Sequence, residues 1–213
     1  MQDFRKEFLD FAINSGVLKF GQFTLKSGRS SPYFFNTGLF NSGAGLAQLG
    51  RYYARAILQS GIEFDMIFGP AYKGIPLAAA TTIALADHHG LDIPYAFDRK
   101  EAKDHGEGGN IVGAPLTGRV LIIDDVITSG LSAGYSINLI REHGATAAGF
   151  VVSLDRKEKM PGSSISALQA LQQEQSLPVF SIATLDDLVE LLNQDPEKTA
   201  TLSAITSYRE QYG

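Results

Sequence analysis

Short apolar runs alternate with amphipathic stretches along most of the chain, and this alternation predicts the fold. The most continuous run, Val120-Leu121-Ile122-Ile123, has no polar residue at alternate positions and therefore predicts a strand buried on both faces. Further short strands are predicted at residues 65–70, 93–97, 145–154 and 178–183, with helices at 43–59, 77–87 and after 130. Strands and helices that alternate over residues 43–183 predict an α/β fold with a mainly parallel central sheet flanked by helices.

The N-terminal segment has a different pattern. Phe4, Phe8 and Phe11 fall on one face of a predicted helix that ends near Gly16. Residues 17–25 alternate loosely as a strand, residues 26–32 predict a turn-rich loop, and the aromatic residues 33–36 follow it. We therefore expect a small β-rich cap beside the main sheet.

The C-terminal segment predicts a helix near residues 164–175, the strand 178–183, a helix capped by Thr184, and a last helix after Pro196. No internal repeat or long linker interrupts the chain. We expect one domain over residues 1–213, with the N-terminal helix and cap at about 1–40 and a C-terminal α/β extension at about 160–213.

Composition limits the possible functions. The chain has a net charge of −5, so it has no overall attraction for nucleic acid or for an anionic membrane. It has no cysteine, which excludes disulfides, cysteine-zinc sites and thiol nucleophiles and is compatible with a reducing cytosol. The first residues do not resemble a signal peptide, and no apolar run approaches the roughly 20 residues of a membrane helix. We expect a cytoplasmic protein.

The strongest candidate site follows the central strand. Asp124 and Asp125 emerge from its end, and Thr128, Ser129 and Gly130 precede the next predicted helix. Hydroxyls and free backbone N–H groups at a helix N-terminus favour a phosphate. Carboxylates accept hydrogen bonds from sugar hydroxyls and bind Mg²⁺. A phosphorylated sugar would satisfy both sets of groups.

The residues of this stretch, taken alone, also allow other interpretations. An acidic pair after an apolar strand also occurs in Mg²⁺ sites of the Walker-B kind and in receiver-type phosphoacceptor pockets. Thr128 or Ser129 could simply cap the helix. The chain contains no G-x-x-x-x-G-K-[ST] motif, which weakens the ATPase alternative.

Two further candidates lie at predicted strand ends. Tyr72 and Lys73 occupy a loop punctuated by glycine and proline after residues 65–70, where a diphosphate could find backbone donors and a cation. Arg156 follows the strand 145–154 and could bind a ligand carboxylate with its planar guanidinium. The alternative for both is an ordinary surface cation.

Two other segments have polar and aromatic features of possible functional value. Residues 98–110 concentrate cations and contain three glycines, which suggests a mobile lid over a polyanion. The acidic residues of this segment nearly balance its positive charge, so a solvated loop is equally compatible with the sequence. Lys26, Phe34 and Phe35 flank a polar loop and could form a planar-ligand pocket; the alternative is a surface lysine and strand core.

Five segments, in order over nearly the whole chain, resemble the orotate phosphoribosyltransferases of the type I phosphoribosyltransferase family. They are residues 25–28, 31–36, 69–74, 99–109 and 120–130. The Asp-Asp motif indicates only the superfamily, whereas the 31–36 and 99–109 segments separate this family from relatives that use purines. The resemblance implies the type I phosphoribosyltransferase fold, with a small β-rich hood.

The resemblance also implies a reaction, in which orotate and 5-phosphoribosyl 1-diphosphate, with Mg²⁺, give orotidine 5′-phosphate and diphosphate. The residues implied to bind phosphoribosyl diphosphate are Lys26, Tyr72, Lys73, Arg99, Lys100, Lys103, His105, Asp124, Asp125, Val126, Ile127, Thr128, Ser129, Gly130, Leu131 and Ser132. Those implied to contact orotate are Phe34, Phe35, Thr128 and Arg156. The implied catalytic residues are Lys73, Lys103, His105, Asp124 and Asp125.

The resemblance assigns no direct protein ligand to the metal, since Mg²⁺ would be carried by the diphosphate and water. It implies a homodimer in which the lid is shared and Lys100 reaches across the interface, and it implies no nucleic-acid or membrane partner. One departure is Leu131, where members of the family often have a small or hydroxyl residue, so hydroxyl donation to the phosphate could shift to Ser129 or Ser132. A non-catalytic sensor of phosphoribosyl diphosphate on the same fold is the alternative function; the lid cations and the lack of a basic face argue against it.

Overall fold

The main structural element is a six-stranded sheet with the order β5-β4-β3-β6-β7-β8. The computed structural model describes residues 3–25, 28–103, 109–127 and 130–213. For residues 3, 101–103 and 109 it describes the backbone but not the side chains. The strands are β3 (Met66–Gly69), β4 (Tyr95–Lys103), β5 (Gly109–Gly113), β6 (Arg119–Ile123), β7 (Thr146–Asp155) and β8 (Val179–Thr184). All neighbouring pairs are parallel except β4 and β5. The prediction of a mainly parallel sheet is therefore confirmed.

Helices cover both faces of this sheet. They are α1 (Asp3–Asn14), α2 (Gly43–Ser60), α3 (Gly74–His89), α4 (Leu131–Glu142), α5 (Ala167–Gln175), α6 (Leu185–Asn193) and α7 (Thr199–Tyr212). In β6, Leu121 and Ile123 join one core cluster while Val120 and Ile122 join the other. All four are fully buried, as the unbroken apolar run predicted.

The N-terminal cap is a two-stranded antiparallel sheet of β1 (Leu18–Thr24) and β2 (Ser30–Phe35). An isolated pair of strands is barely stable in water, so the cap depends on the main domain. Tyr33 and Phe35 point into the core, where the ring of Phe35 meets that of Phe8 at a centroid distance of 6.4 Å. Phe34 lies on the opposite face and stacks on Phe23 at 5.5 Å.

Several predicted boundaries were wrong. Residues 30–32 belong to β2 rather than to a loop, and α3 begins at Gly74 rather than at residue 77. Residues 98–110 were interpreted as a lid. The described part of this segment consists of the end of β4 and the start of β5, and these two strands pair antiparallel. These strands are held by backbone hydrogen bonds to each other. The side chains of this segment are mostly polar, so no apolar pattern predicted the strands. Residues 104–108 lie outside the described part of the chain.

The C-terminal helices are attached to the N-terminal ones. Thr184 caps α6 as predicted, and its side chain and that of Asp187 form a reciprocal capping box. Asp187 also accepts a hydrogen bond from Arg5 of α1 at 3.2 Å. None of the helices in the described ranges is long and apolar enough to cross a membrane.

The close crossing of α2 and α3 generates a stability prediction. A Cβ atom added at Gly50 would lie 2.4 Å from the carbonyl oxygen of Ala80, so Gly50→Ala should lower the free energy of unfolding by about 1–3 kcal/mol through overpacking. Gly134→Ala, in α4, is the matched control because its Cβ would meet nothing within 4 Å and should leave stability unchanged or raise it by up to about 1 kcal/mol. Urea unfolding followed by circular dichroism measures both. Equal effects would show that the crossing can relax.

Candidate active site

Three loops meet at the carboxyl edge of the sheet because β3, β6 and β7 are adjacent and parallel. The loop after β3 contains Tyr72 and Lys73, the loop after β6 contains Asp124 and Asp125, and Arg156 follows β7. This edge is where open α/β sheets bind ligands. The structure thus places these predicted site residues along one edge.

Asp125 is the most highly connected residue of the site. Its buried carboxylate accepts hydrogen bonds from Lys73 Nζ at 2.6 Å and from Thr37 Oγ1 at 3.0 Å, both on Oδ2. Its other oxygen accepts from the Val126 N–H at 2.8 Å. Its backbone carbonyl accepts from the hydroxyl of Ser153 in β7 at 2.5 Å. These contacts hold both the backbone and the carboxylate in one position.

Asp124 has a different electrostatic environment. Its carbonyl accepts from the buried Tyr53 hydroxyl at 2.8 Å, and its carboxylate accepts from the Asp125 N–H at 2.9 Å. Burial raises the pKa of Asp124 to about 7, and the negative charge of Asp125 contributes to the rise. Lys73 opposes the shift only in part. A cation or a hydroxyl donor would therefore stabilise the ionised form of Asp124.

The loop after β3 is tightly packed. A Cβ at Gly69 would lie 2.1 Å from the carbonyl oxygen of Gly74, so the backbone can turn this closely only without a side chain there. The Ala71 N–H donates to the buried carboxylate of Asp98 at 2.6 Å, and the Ala71–Tyr72 peptide bond is cis. Tyr72 itself is exposed.

One cation of β4 lies beside this loop. The Lys100 ammonium lies 4.8 Å from the ring centroid of Tyr72, and Arg99 is half-buried in the same strand. The backbone of Lys103 ends β4, but its side chain is not among those described. The predicted site residues Lys26, His105, Thr128 and Ser129 also lie outside the described residues.

The remaining part of the predicted phosphate loop leads into α4. Gly130 has a left-handed backbone with φ of 74°, and Leu131 and Ser132 begin the helix with exposed side chains. Leu131 is 79% exposed. Val126 and Ile127 are half-buried and pack against the two core clusters. The first N–H groups of α4 have no partner within the helix and are available to an anion.

Arg156 is half-buried and paired, rather than a free surface cation. Its Nε donates to Glu158 Oε1 at 2.7 Å, and its Nη2 lies 2.6 Å from the same oxygen. Its Cζ lies 4.5 Å from the ring centroid of Tyr33. Phe34 and Phe35 project from opposite faces of β2, so only one of them can face any single pocket. Their contacts with orotate, like that of Arg156, stay predictions.

Five residues that the sequence analysis did not select support the site: Thr37, Tyr53, Asp98, Ser153 and Glu158. Asp98 directly follows the predicted strand 93–97, so the rule that drew attention to Asp124 and Arg156 could also have found it. Thr37 and Tyr53 come from the cap segment and from α2, and no local pattern connects either one with Asp125 or Asp124.

Asp124 generates a prediction about stability and pH in the absence of substrate and metal. Its folded pKa of about 7 exceeds the unfolded value of 3.8, so the folded state holds more protons between these values. Its contribution to the free energy of unfolding should therefore fall as pH rises from about 4 to about 7 and level off above. The stability gained by Asp124→Asn should grow over the same range, to a few kcal/mol.

Urea unfolding at several pH values tests this prediction, with EDTA present. Asp92→Asn, at an exposed position between α3 and β4, is the matched control for the loss of one carboxylate. A gain for Asp124→Asn that is constant from pH 4 to pH 8 would contradict the raised pKa.

Comparison with known proteins agrees with this geometry. Residues 38–185 match the phosphoribosyl transferase domain. The chain is 56% identical to an orotate phosphoribosyltransferase of Shigella flexneri and 55% identical to one of Cronobacter sakazakii, each over 100% of both chains. It also resembles the crystal structure of an orotate phosphoribosyltransferase of Francisella tularensis, with a TM-score of 0.90, 46% identity, and coverage of 97% of this chain and 99% of the other. The chain therefore belongs to the phosphoribosyltransferase family and, within it, to the orotate phosphoribosyltransferases.

Proposed function

We propose that the chain transfers the 5-phosphoribosyl group of 5-phosphoribosyl 1-diphosphate to orotate, giving orotidine 5′-phosphate and diphosphate, as a step of UMP biosynthesis. The observation that carries this proposal is the single edge at which an acidic pair, a loop with a lysine and a half-buried arginine follow three adjacent strands. The full-length identity to named orotate phosphoribosyltransferases supports the choice of substrates.

The acidic pair would bind the ribose. Asp124 and Asp125 can accept hydrogen bonds from two neighbouring hydroxyls, and the contacts of Asp125 already orient its carboxylate. The loop 126–132 would bind the 5′-phosphate, which the free N–H groups at the start of α4 support. Because Leu131 has no hydroxyl, Thr128, Ser129 and Ser132 are the hydroxyl donors that we propose for this phosphate.

The diphosphate would lie between two groups of cations. Lys73, beside Tyr72, reaches the acidic pair from one side. The side chains of Arg99, Lys100, Lys103 and His105 would approach from the β4 hairpin, which consists of the paired strands β4 and β5 and the residues that join them. As the C1–O bond of the ribose breaks, positive charge develops on the sugar and negative charge on the departing diphosphate. Cations that meet the leaving group, and carboxylates that face the sugar, stabilise this separation of charge.

The residues present fit a Mg²⁺ ion brought in with the substrate. The described residues contain no group of three side chains that could enclose a metal, but Mg²⁺ is commonly bound by one or two carboxylates together with substrate phosphates and water. Asp124 and Asp125 would face this ion through its water ligands rather than bind it directly, and the raised pKa of Asp124 favours a cation nearby. When bound, Mg²⁺ would neutralise charge on the diphosphate.

Orotate would lie near Arg156, whose guanidinium suits its carboxylate, with Phe34, Phe35 and Thr128 also in contact. We further propose a cytoplasmic homodimer in which the β4 hairpin contributes to the partner's site. The Lys100 ammonium lies over the exposed ring of Tyr72, which leaves both side chains at the surface, where a partner subunit could reach them. A non-catalytic sensor of phosphoribosyl diphosphate remains the alternative function.

The direct test is the loss of orotate absorbance in the presence of phosphoribosyl diphosphate and Mg²⁺. We expect turnover only when both are present. Turnover with a purine base but not with orotate would assign the chain to another branch of the family. Binding of phosphoribosyl diphosphate without any turnover would favour the sensor.

Substitution of Lys103 distinguishes a role in catalysis from a role in binding, and it also tests whether the site is shared between subunits. Lys103→Ala should lower kcat on the order of a hundredfold and change the KM of phosphoribosyl diphosphate less, because the cation acts mainly on charge that develops in the transition state. Steady-state kinetics with both substrates varied measures the two effects. A rise in KM with kcat unchanged would instead make Lys103 a binding residue.

The same variant can be combined with Asp125→Asn in heterodimers isolated through two different affinity tags. If the lid crosses the interface, one of the two sites joins an intact lid to an intact acidic pair, and activity should return above that of either variant alone. Native mass spectrometry confirms that the heterodimer is present. No recovery in verified heterodimers would place the lid and the pocket in the same chain.

A further inference from the structure

The Arg156 guanidinium is held on one edge and one face. Its Nε and Nη2 both interact with a single oxygen of Glu158, at 2.7 and 2.6 Å. The ring of Tyr33 covers one face, and Ser31 Oγ lies 3.3 Å from Nη2. The side chains of Arg156 and Glu158 are only 15% and 16% exposed. Nη2 is thus shared between Glu158 and Ser31, whereas Nη1 has no hydrogen-bond partner within the described parts of the chain and remains available to a carboxylate oxygen.

Glu158 is contacted by one tyrosine, and a second tyrosine packs against the first. The Tyr33 hydroxyl lies 3.4 Å from the same carboxylate oxygen that pairs with Arg156. Tyr208 of α7 is buried, and its ring meets that of Tyr33 edge-on at 84°, with centroids 6.2 Å apart. Burial raises the pKa of Tyr208, and the negative charge of Glu158 adds to the rise, so the phenol stays protonated at neutral pH.

The loop after Arg156 is attached to both the cap and the C-terminal helix. Arg29, between the cap strands, donates to the Lys159 carbonyl at 3.0 Å, and its Cζ lies 4.7 Å from the ring centroid of Tyr212. The Lys159 N–H donates to the Tyr212 carbonyl at 2.7 Å. Residues 156–159 are therefore restrained by two elements far from them in the sequence.

We propose that Glu158 and Tyr208 are positioning residues that hold Arg156 in the orientation in which it receives the orotate carboxylate, an inference that rests on the proposed function. Glu158 accepts from Nε and Nη2 and leaves Nη1 free, so it orients the guanidinium without blocking that nitrogen. Tyr208 supports the Tyr33 ring on which the guanidinium rests.

Glu158 could instead act as a competitor that orotate must displace, or as a purely structural residue. Three variants separate these roles. Glu158→Gln keeps an acceptor oxygen at the same reach but loses the charge, Glu158→Asp keeps the charge but is one methylene too short, and Glu158→Ala loses both. The benchmark is Arg156→Ala, and Glu174→Ala, at an exposed position in α5, is the matched control.

We expect the KM of orotate to rise about ten- to a hundredfold in Glu158→Ala, because a small displacement of an aligned group can cost this much. Glu158→Asp should also raise it severalfold, whereas Glu158→Gln should stay within about threefold of the unmodified protein. The KM of phosphoribosyl diphosphate should change by less than about twofold in all three. At Tyr208, Leu should raise the KM of orotate, and Phe should raise it less than Leu does because Phe keeps a ring against that of Tyr33.

Two results would overturn the proposal. A lower KM of orotate in the Gln and Ala variants would make Glu158 a competitor. Equal losses for both substrates, accompanied by a fall in Tm, would make it structural, and the Gln and Asp variants preserve the test if Ala does not fold. The unmodified protein is assayed first: if it does not consume orotate, the proposed function fails, whereas turnover with a different ranking of variants counts only against the positioning roles.

Discussion

Strand β6 has no solvent-exposed face, and this burial determines where in the fold the acidic pair lies. Both core clusters contain the side chains of residues 120–123, so charged residues can lie only at the two ends of the strand, Arg119 at its start and the acidic pair after its carboxyl end. Asp124 and Asp125 occupy that end between the loops after β3 and β7. The same packing that stabilises the sheet thus brings two carboxylates close to a low-dielectric interior, where their charge is costly.

The surroundings offset this cost unequally for the two carboxylates. Asp125 has an ammonium, a hydroxyl and a backbone N–H as partners, from three different segments of the chain. Among the described residues, the carboxylate of Asp124 has only a backbone N–H as its hydrogen-bond partner, and its pKa is raised to about 7. One carboxylate is therefore fixed in place by the protein, while the other could be stabilised by a bound cation or hydroxyl donor. This difference suits a site for a sugar diphosphate accompanied by a cation.

The order of strands and helices, the burial of β6 and the position of the acidic pair all follow from local patterns. An unbroken apolar run can be buried only on both faces, and parallel strands bring their carboxyl ends to one edge. Thr184 as a helix cap and Gly130 at the start of a helix also follow from short-range rules. Local patterns did not predict strand β5, because the polar residues of the β4 hairpin are held by strand pairing and not by an apolar face.

Partners distant in the sequence were decided by the folded chain alone. Thr37 lies 88 residues from Asp125 and Tyr53 lies 71 from Asp124, and neither belongs to a motif with its partner. The sequence marked Arg156 as a cation at a strand end, but its pairing with Glu158 and its place on the ring of Tyr33 depend on the docking of the cap and of α7. A residue's type and its place in a strand are local properties, whereas the group that it meets depends on how separate elements pack, and local patterns contain no information about that packing.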